Sequence, residues 1–349
     1  MRAIARTTTV IDLGSAAVHA AEITPGGAPT TAAIERAETG TALDHAEAAA
    51  IVRALRRRGL RCEHAHLIAP KRAVQALPVD LPPPQSDAPV VEIAACRVAD
   101  MLEAERGTFE TAITTRAPGG GTRRSSTVAA CRHAESVGII DAFEAAGVGV
   151  ESLLAPASAL IAAGELALRS ETPNDTDTET TTGTGARVLL DVGWRDATAV
   201  AIDGGQPVFE RHLRKLGFGR VADELEAQVC GDRALSEWIA RRGHRNEITL
   251  AERAVGAIRP FGIDLVRELE ATIVYFEELA GPGAVTGVLV AGGGAEDPEL
   301  MDWLDANIWL PTRRLADSLP GSPPPASAVA AGLAAAIAGG HRKARGASR

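Results

Sequence analysis

Thr9-Val10-Ile11-Asp12-Leu13-Gly14 is a short apolar run ending in Asp-x-Gly, and Val188-Leu189-Leu190-Asp191-Val192-Gly193 repeats it in the second half of the chain. After the first run, Ala16–Ile23 (AAVHAAEI) reads as a second strand and Thr24-Pro25-Gly26-Gly27 as a turn. After the second, Ala197–Ile202 (ATAVAI) and the turn Asp203-Gly204-Gly205 follow in the same order. Asp12 and Asp191 lie 179 residues apart, about half of the 349-residue chain. Asp-x-Gly by itself says little, since Asp203-Gly204-Gly205 also matches and reads only as a turn. The duplicated strand–loop–strand context carries the reading: two halves built on one plan.

A third segment, Val288-Leu289-Val290-Ala291-Gly292-Gly293-Gly294, runs a buried-type strand into three glycines. Asp297 then suits an N-cap and Pro298 the first helical position, so a helix is expected through about Asn307. Periodicity predicts further helices at Asp44–Arg58, Val90–Arg106, His133–Ala146, Val221–Val229, Leu265–Leu279 and Ser327–Ala338. Strands and helices alternate within each half, which indicates layered α/β domains. Leu81–Pro89 and Ser318–Pro325 are Pro-rich connectors. Ser170–Ala186 is Thr-rich, acidic and almost free of apolar side chains, and reads as a disordered loop; the basic stretch from Gly339 reads as a flexible tail.

Composition narrows the function classes. Lys plus Arg is 36 against 45 Asp plus Glu, a net charge of −9, and aromatics are 3%. Such a chain has neither the cationic surplus nor the stacking platforms for nucleic acid. The cysteines Cys62, Cys96, Cys131 and Cys230 are scattered, with no zinc-type or disulfide spacing, which fits a reducing compartment. Met1–Val10 has no signal-peptide core, and Ala326–Ala338 is too short and too weakly apolar to span a bilayer, which takes roughly 20 residues. A cytoplasmic chain without a membrane span is expected. A dinucleotide-binding oxidoreductase is excluded, because no GxGxxG follows the first strand.

Two facing Asp-x-Gly loops make a phosphate clamp. Each tight loop turns consecutive backbone N–H groups toward one point, an anion nest. Gly14, Ser15 and Gly193 belong to those nests, while Asp12 and Asp191 are suited to hold Mg²⁺ through water. Gly292, Gly293 and Gly294 let backbone approach a nucleoside. The implied ligand is a Mg²⁺-nucleoside phosphate in a cleft between two homologous halves, which the resemblance described next narrows to ATP or ADP with Mg²⁺.

Ile11-Asp12-Leu13-Gly14-Ser15, Leu190-Asp191-Val192-Gly193 and Val290–Gly294 resemble the phosphate and adenosine motifs of the actin/Hsp70/sugar-kinase ATPase superfamily. The order of parts is similar to its PilM/FtsA branch of type IV pilus assembly and division proteins. Ala69-Pro70 through Pro82, and Thr127 through Leu153, resemble the entry to and exit from that branch's inserted subdomain.

The resemblance implies a two-lobed actin-like ATPase fold of duplicated ribonuclease H-like domains. The first lobe is expected at 1–81, a small inserted α/β subdomain at 82–150, a connecting helix at 151–169 and the second lobe at 187–338. It implies a nucleotide-binding adaptor of a type IV pilus or type II secretion-like inner-membrane assembly, at most a slow ATPase. It also implies self-association and a partner, a membrane protein with a short cytoplasmic N-terminal peptide of the PilN kind. The alternative is a true ATPase or small-molecule kinase on the same fold. His19 stands where the first loop of such proteins commonly carries a Lys, and Trp194, Arg195 and Asp196 stand where small or hydroxyl residues are common. A neutral imidazole and an added carboxylate imply weak nucleotide affinity.

Overall fold

The chain opens with Thr8–Leu13 (β1), Ala17–Ile23 (β2), Thr30–Glu35 (β3), helix His45–Arg57 (α1) and His64–Ile68 (β4). It then leaves the first sheet through Val74–Asp80 (β5), Val90–Met101 (α2), Phe109–Thr115 (β6) and Ser125–Arg132 (β7). It returns with His133–Ala145 (α3) and Gly149–Leu154 (β8), and Pro156–Glu171 (α4) crosses to the second lobe. That lobe contains Ala186–Val192 (β9), Ala197–Asp203 (β10), Gln206–Leu213 (β11), Gly219–Gln228 (α5), Arg233–Arg241 (α6), Ile248–Ala280 (α7), Val285–Ala291 (β12), Pro298–Asn307 (α8) and Thr312–Arg314 (β13). Ala328–Gly346 (α9) closes the chain. This computed structural model describes residues 7–24, 27–36, 43–82, 87–115, 125–171, 185–228, 231–241 and 248–346.

The two large sheets share one topology. The first has order β3-β2-β1-β4-β8 and the second β11-β10-β9-β12-β13. In each, the first three strands in sequence form an antiparallel meander and the last two add in parallel. The duplication read from the two Asp-x-Gly runs is thus a duplication of a whole five-stranded unit.

Strand alternation divides each sheet into two faces. Ile11 and Leu13 point into a core with α1 and α3, built with Leu55, Leu67 and Phe143. Val188 and Leu190 point into a core with α5–α8, built with Phe261, Leu265 and Leu304. Val10 and Leu189 take the opposite faces and meet α4 and α9 in a core that draws on both sheets. The two helices therefore lie between the lobes. Their weak hydrophobicity has a packing purpose. A Cβ on Gly332 of α9 would lie 2.5 Å from Ala163 Cβ of α4, so only small residues allow this close crossing.

Several boundaries differ from the sequence reading. β5 was placed in the first lobe, but it pairs with β7 in a separate antiparallel sheet of order β5-β7-β6. α3 and β8 were placed in the insert, but they pack on and pair with the first lobe. The insert runs from Val74 to Arg132 rather than over 82–150. Pro78 is tolerated because β5 is an edge strand. The connecting helix begins at Pro156, since 149–154 is strand. The tail expected from Gly339 is helical to Gly346; a helical glycine costs about 1 kcal/mol but does not end a helix. α7 runs 33 residues through Pro260, where the pattern predicts a helix only over Leu265–Leu279. Its buried residues Ala254, Ala257, Ile258, Phe261, Leu265, Leu269, Ile273 and Phe276 keep a helical stripe across the proline. α6 was not expected. Within the loops read at 81–89 and 170–186, residues 83–86 and 172–184 lie outside the described residues.

Candidate functional site

The same alternation that sends Val10 and Leu189 inward places Asp12 and Asp191 two residues on, on the facing sides of the two sheets. Both line one cavity of about 280 Å³ between the lobes. Gly14, Ser15 and His19 line it from the first lobe; Gly193, Gly292 and Gly293 line it from the second. Gly294 does not. It is buried, and a Cβ there would sit 2.5 Å from Val192 Cγ1. Its role is packing between β9 and the turn after β12, which corrects the nucleoside-facing role expected of it.

The loops are held by named contacts. Arg36, at the end of β3, donates from Nη1 to Gly14 O at 3.2 Å while its Nε meets Glu47 Oε1 at 2.6 Å. A Cβ on Gly14 would lie 2.5 Å from Ala17 O, so the first loop closes only with glycine. Gly193 N donates to Asp196 O at 3.1 Å, and a Cβ at Gly193 would lie 2.9 Å from that same oxygen. Gly292 has φ 84° and its missing Cβ would lie 2.3 Å from Asp191 Oδ1. The turn after β12 thus needs glycine twice over, for backbone angle and for room beside the carboxylate. Asp297 caps α8, accepting from Leu300 N at 3.0 Å, with Pro298 following as the sequence indicates.

Lys71 is the residue that sequence reasoning missed. It lies in the turn after β4, beyond Pro70, and reaches across the cleft. Its Nζ is 2.8 Å from Asp191 Oδ2 and donates to Asp191 O at 3.2 Å and Asp196 O at 3.4 Å. One signal was available. Only three of the chain's 36 basic residues are lysines, so a lysine at the end of a parallel strand stands out where arginine is the default cation. A compact ammonium suits a tight cleft better than a planar guanidinium.

The electrostatics follow from burial. Burial pushes the Asp12 carboxyl up to about 7; the Asp191 charge adds to the rise and Lys71 opposes it. His19 pairs across from Asp12 in the β1–β2 register, and its Nδ1 is 3.4 Å from Ser327 Oγ. Burial lowers its pKa to about 4, against the pull of Asp191, so it is neutral at pH 7. His19 therefore supplies no phosphate-facing charge. Lys71 brings a cation to the same cavity from another loop. The added carboxylate of Asp196 is also turned away from Lys71. Its Oδ1 accepts from Lys215 N at 2.7 Å and its Oδ2 is 4.0 Å from His212 Nε2. Trp194 lines the cavity from the second lobe. Its carbonyl accepts from Gly219 N at 2.7 Å, and the Arg241 guanidinium sits 4.5 Å from its ring centroid.

These residues fit a divalent cation carrying a nucleotide's phosphates. Asp12, Asp191 and Lys71 line one cavity with four further acidic residues and three arginines, two backbone loops face it, and a Cβ on Gly293 would meet nothing within 4 Å, which leaves room beside that turn. Burial first, and the Asp191 charge second, disfavour the ionised form of Asp12, and a cation beside the two carboxylates would favour it.

Duplicated sheets joined by two crossing helices, with an Asp-x-Gly loop from each meeting in the interlobe cleft, define an actin-like ATPase fold. No protein-family model and no curated protein sequence matches the chain. Among solved structures, the PilM–PilN type IV pilus biogenesis complex is similar, with TM-score 0.68 and 20% identity over 94% of this chain and 97% of that one. The ethanolamine utilization protein EutJ from Carboxydothermus hydrogenoformans follows, with TM-score 0.55 and 12% identity over 94% and 89%. MreB 5 of Spiroplasma citri, bound to AMPPNP, has TM-score 0.53 and 14% identity over 98% and 99%. Among the described residues no helix is long and apolar enough to cross a membrane.

Proposed function

We propose that the chain is a nucleotide-binding adaptor of a type IV pilus or type II secretion-like inner-membrane assembly. It works on the cytoplasmic side and engages the short N-terminal peptide of a PilN-like membrane protein. The observation that supports this most is the placing of Asp12, Lys71 and Asp191 around one interlobe cavity in a fold similar to that of PilM in the PilM–PilN complex.

In this reading Asp12 and Asp191 hold Mg²⁺ through water. The loops at Gly14–Ser15 and Gly193 take the phosphates, and Gly292–Gly293 lies against the nucleoside. The bound Mg²⁺ supplies charge neutralisation for the phosphate oxygens. Lys71 is engaged by Asp191 without ligand, so it must exchange that carboxylate for a phosphate oxygen. That exchange gives back part of the gain, which favours a nucleotide that sets lobe geometry over one rapidly turned over.

Calorimetry of the full chain with Mg-ATP and Mg-ADP, with and without N-terminal peptides of membrane proteins from the same genome, tests both parts. We expect nucleotide binding, a peptide that binds, and phosphate release slower than about 1 s⁻¹, the low end of ordinary enzymes. No binding of either nucleotide at millimolar concentration overturns the nucleotide reading. Fast turnover that no peptide alters moves the assignment to an ATPase or small-molecule kinase.

A further inference from the structure

Behind the second phosphate loop lies a second cavity, of about 330 Å³, between the end of β11 and the facing sides of α5 and α7. Its charge is opposite to that of the whole chain. Four arginines, a lysine and a histidine line it against two carboxylates, Asp264 and Glu268. Those carboxylates are already shared. Arg220 Nη2 is 2.9 Å and Arg267 Nη2 is 3.1 Å from Asp264, while Arg211 pairs with Glu268. Arg214 and Lys215 are exposed and have no acidic partner among the described residues. His212 Nε2 is buried without a hydrogen-bond partner among the described residues.

The segment carrying these cations is fastened to the second phosphate loop. Lys215 has φ 63°, an uncommon angle for a side-chain-bearing residue, and its N–H donates to Asp196 Oδ1 at 2.7 Å. Phe218 N donates to Gly193 O at 2.8 Å and Gly219 N to Trp194 O at 2.7 Å. A Cβ on Gly217 would lie 2.1 Å from Arg195 C, so the two loops touch backbone to backbone. On its other side, the Asp196 carbonyl accepts from Lys71 in the interlobe cleft. The loop at 193–196 is therefore gripped from the cleft and from the basic cavity at once.

We propose that the basic cavity is a separate site for a small soluble phosphate-bearing anion, and that its occupancy is transmitted to the second phosphate loop. Arginine forks on several sides suit phosphate oxygens, which accept paired N–H donors. An anion drawn to Arg214, Lys215 and Arg267 tightens the 214–219 segment. The three hydrogen bonds to residues 193, 194 and 196 then carry that restraint to the cleft. The site stands independently of whether the cleft takes nucleotide.

Pyrophosphate without Mg²⁺, titrated into the full-length chain, is the probe. Wild type and Lys71→Ala should bind it within threefold of each other. Arg214→Ala combined with Arg267→Ala should weaken binding at least tenfold, and Arg214→Lys with Arg267→Lys should recover part of the loss. A cooperative thermal transition in each variant, at whatever Tm, checks that it is folded. Pyrophosphate added to Lys71→Ala should also slow amide exchange at Phe218 and Gly219. The site is refuted if wild type does not bind at millimolar pyrophosphate, or if the double alanine variant binds as wild type. Binding with unchanged exchange at 218–219 refutes the transmission.

Discussion

Replacing Lys71 by methionine keeps an unbranched stem of similar length and removes the ammonium alone. The side chains of Lys71 and Asp191 are 21% and 14% exposed, so the pair is mostly out of water and counts for more than a surface ion pair. Breaking a fully buried pair from one side costs about 3–5 kcal/mol, and a charge-assisted hydrogen bond contributes about 1.5–3 kcal/mol. The partial exposure here places the loss at about 2–3 kcal/mol at pH 7.5. For a chain of 349 residues that lowers Tm by about 3–4 °C, at roughly 1.4 °C per kcal/mol. The lost cation also stops opposing the rise in the Asp12 pKa, so that group should titrate above its present value of about 7. In the nucleotide reading, a loss of about 1.4–2.8 kcal/mol of phosphate binding weakens Mg-ATP ten- to hundredfold. Differential scanning calorimetry gives the first quantity and isothermal titration the second. A Tm within about 1 °C of wild type, together with unchanged Mg-ATP affinity, would show that Lys71 neither joins the lobes nor meets phosphate.

Asp12 gives the chain a pH dependence of defined sign. Its pKa is raised in the fold to about 7 from 3.8, so the folded state binds more protons and stability without metal falls as pH rises through 7. The lowered pKa values of His19 and His212 act in the opposite direction near pH 6.5, since there the unfolded state binds more protons at those rings, so the carboxyl is isolated by difference: the urea midpoint of wild type relative to Asp12→Asn should fall as pH rises from 5 to 7.5, and a difference that does not change with pH refutes the burial argument. Arg36→Met leaves Glu47 and Gly14 O without their donor and should lower stability by about 2 kcal/mol; a change under about 0.5 kcal/mol by chemical denaturation would show the first loop holds without it. Gly332→Val forces a branched side chain against Ala163 where α4 and α9 cross and should cost about 1–3 kcal/mol by overpacking, whereas Gly339→Ala, whose Cβ would meet nothing within 4 Å, should raise stability by up to about 1 kcal/mol in the same unfolding assay.

The sequence by itself determined the duplicated plan, because each copy is a local signal. An apolar strand of period two, an Asp-x-Gly stop and a second strand are all written within about fifteen residues. The spacing of two between Val10 and Asp12, and between Leu189 and Asp191, puts each carboxylate on the same side of its strand as the apolar residue before it. The cap at Asp297-Pro298 and the glycine turn before it are legible for the same reason, since each rests on the backbone needs of a few adjacent residues.

Tertiary structure alone decided what depends on partners far along the chain. Lys71 sits in a three-residue turn with no periodicity, and its importance appears only when β4 and β9, from different lobes, bring it to Asp191. Val74–Asp80 looks like a strand of the first lobe until its edge pairing with Ser125–Arg132 places it in the insert. Pro260 looks like a helix end until the core of the second lobe holds both sides of it along one apolar stripe. The weakly hydrophobic alanines of α4 and α9 identify themselves as an interlobe joint only through the close crossing at Ala163 and Gly332. Local propensity sets how each segment folds; long-range packing and charge pairing set which segments meet.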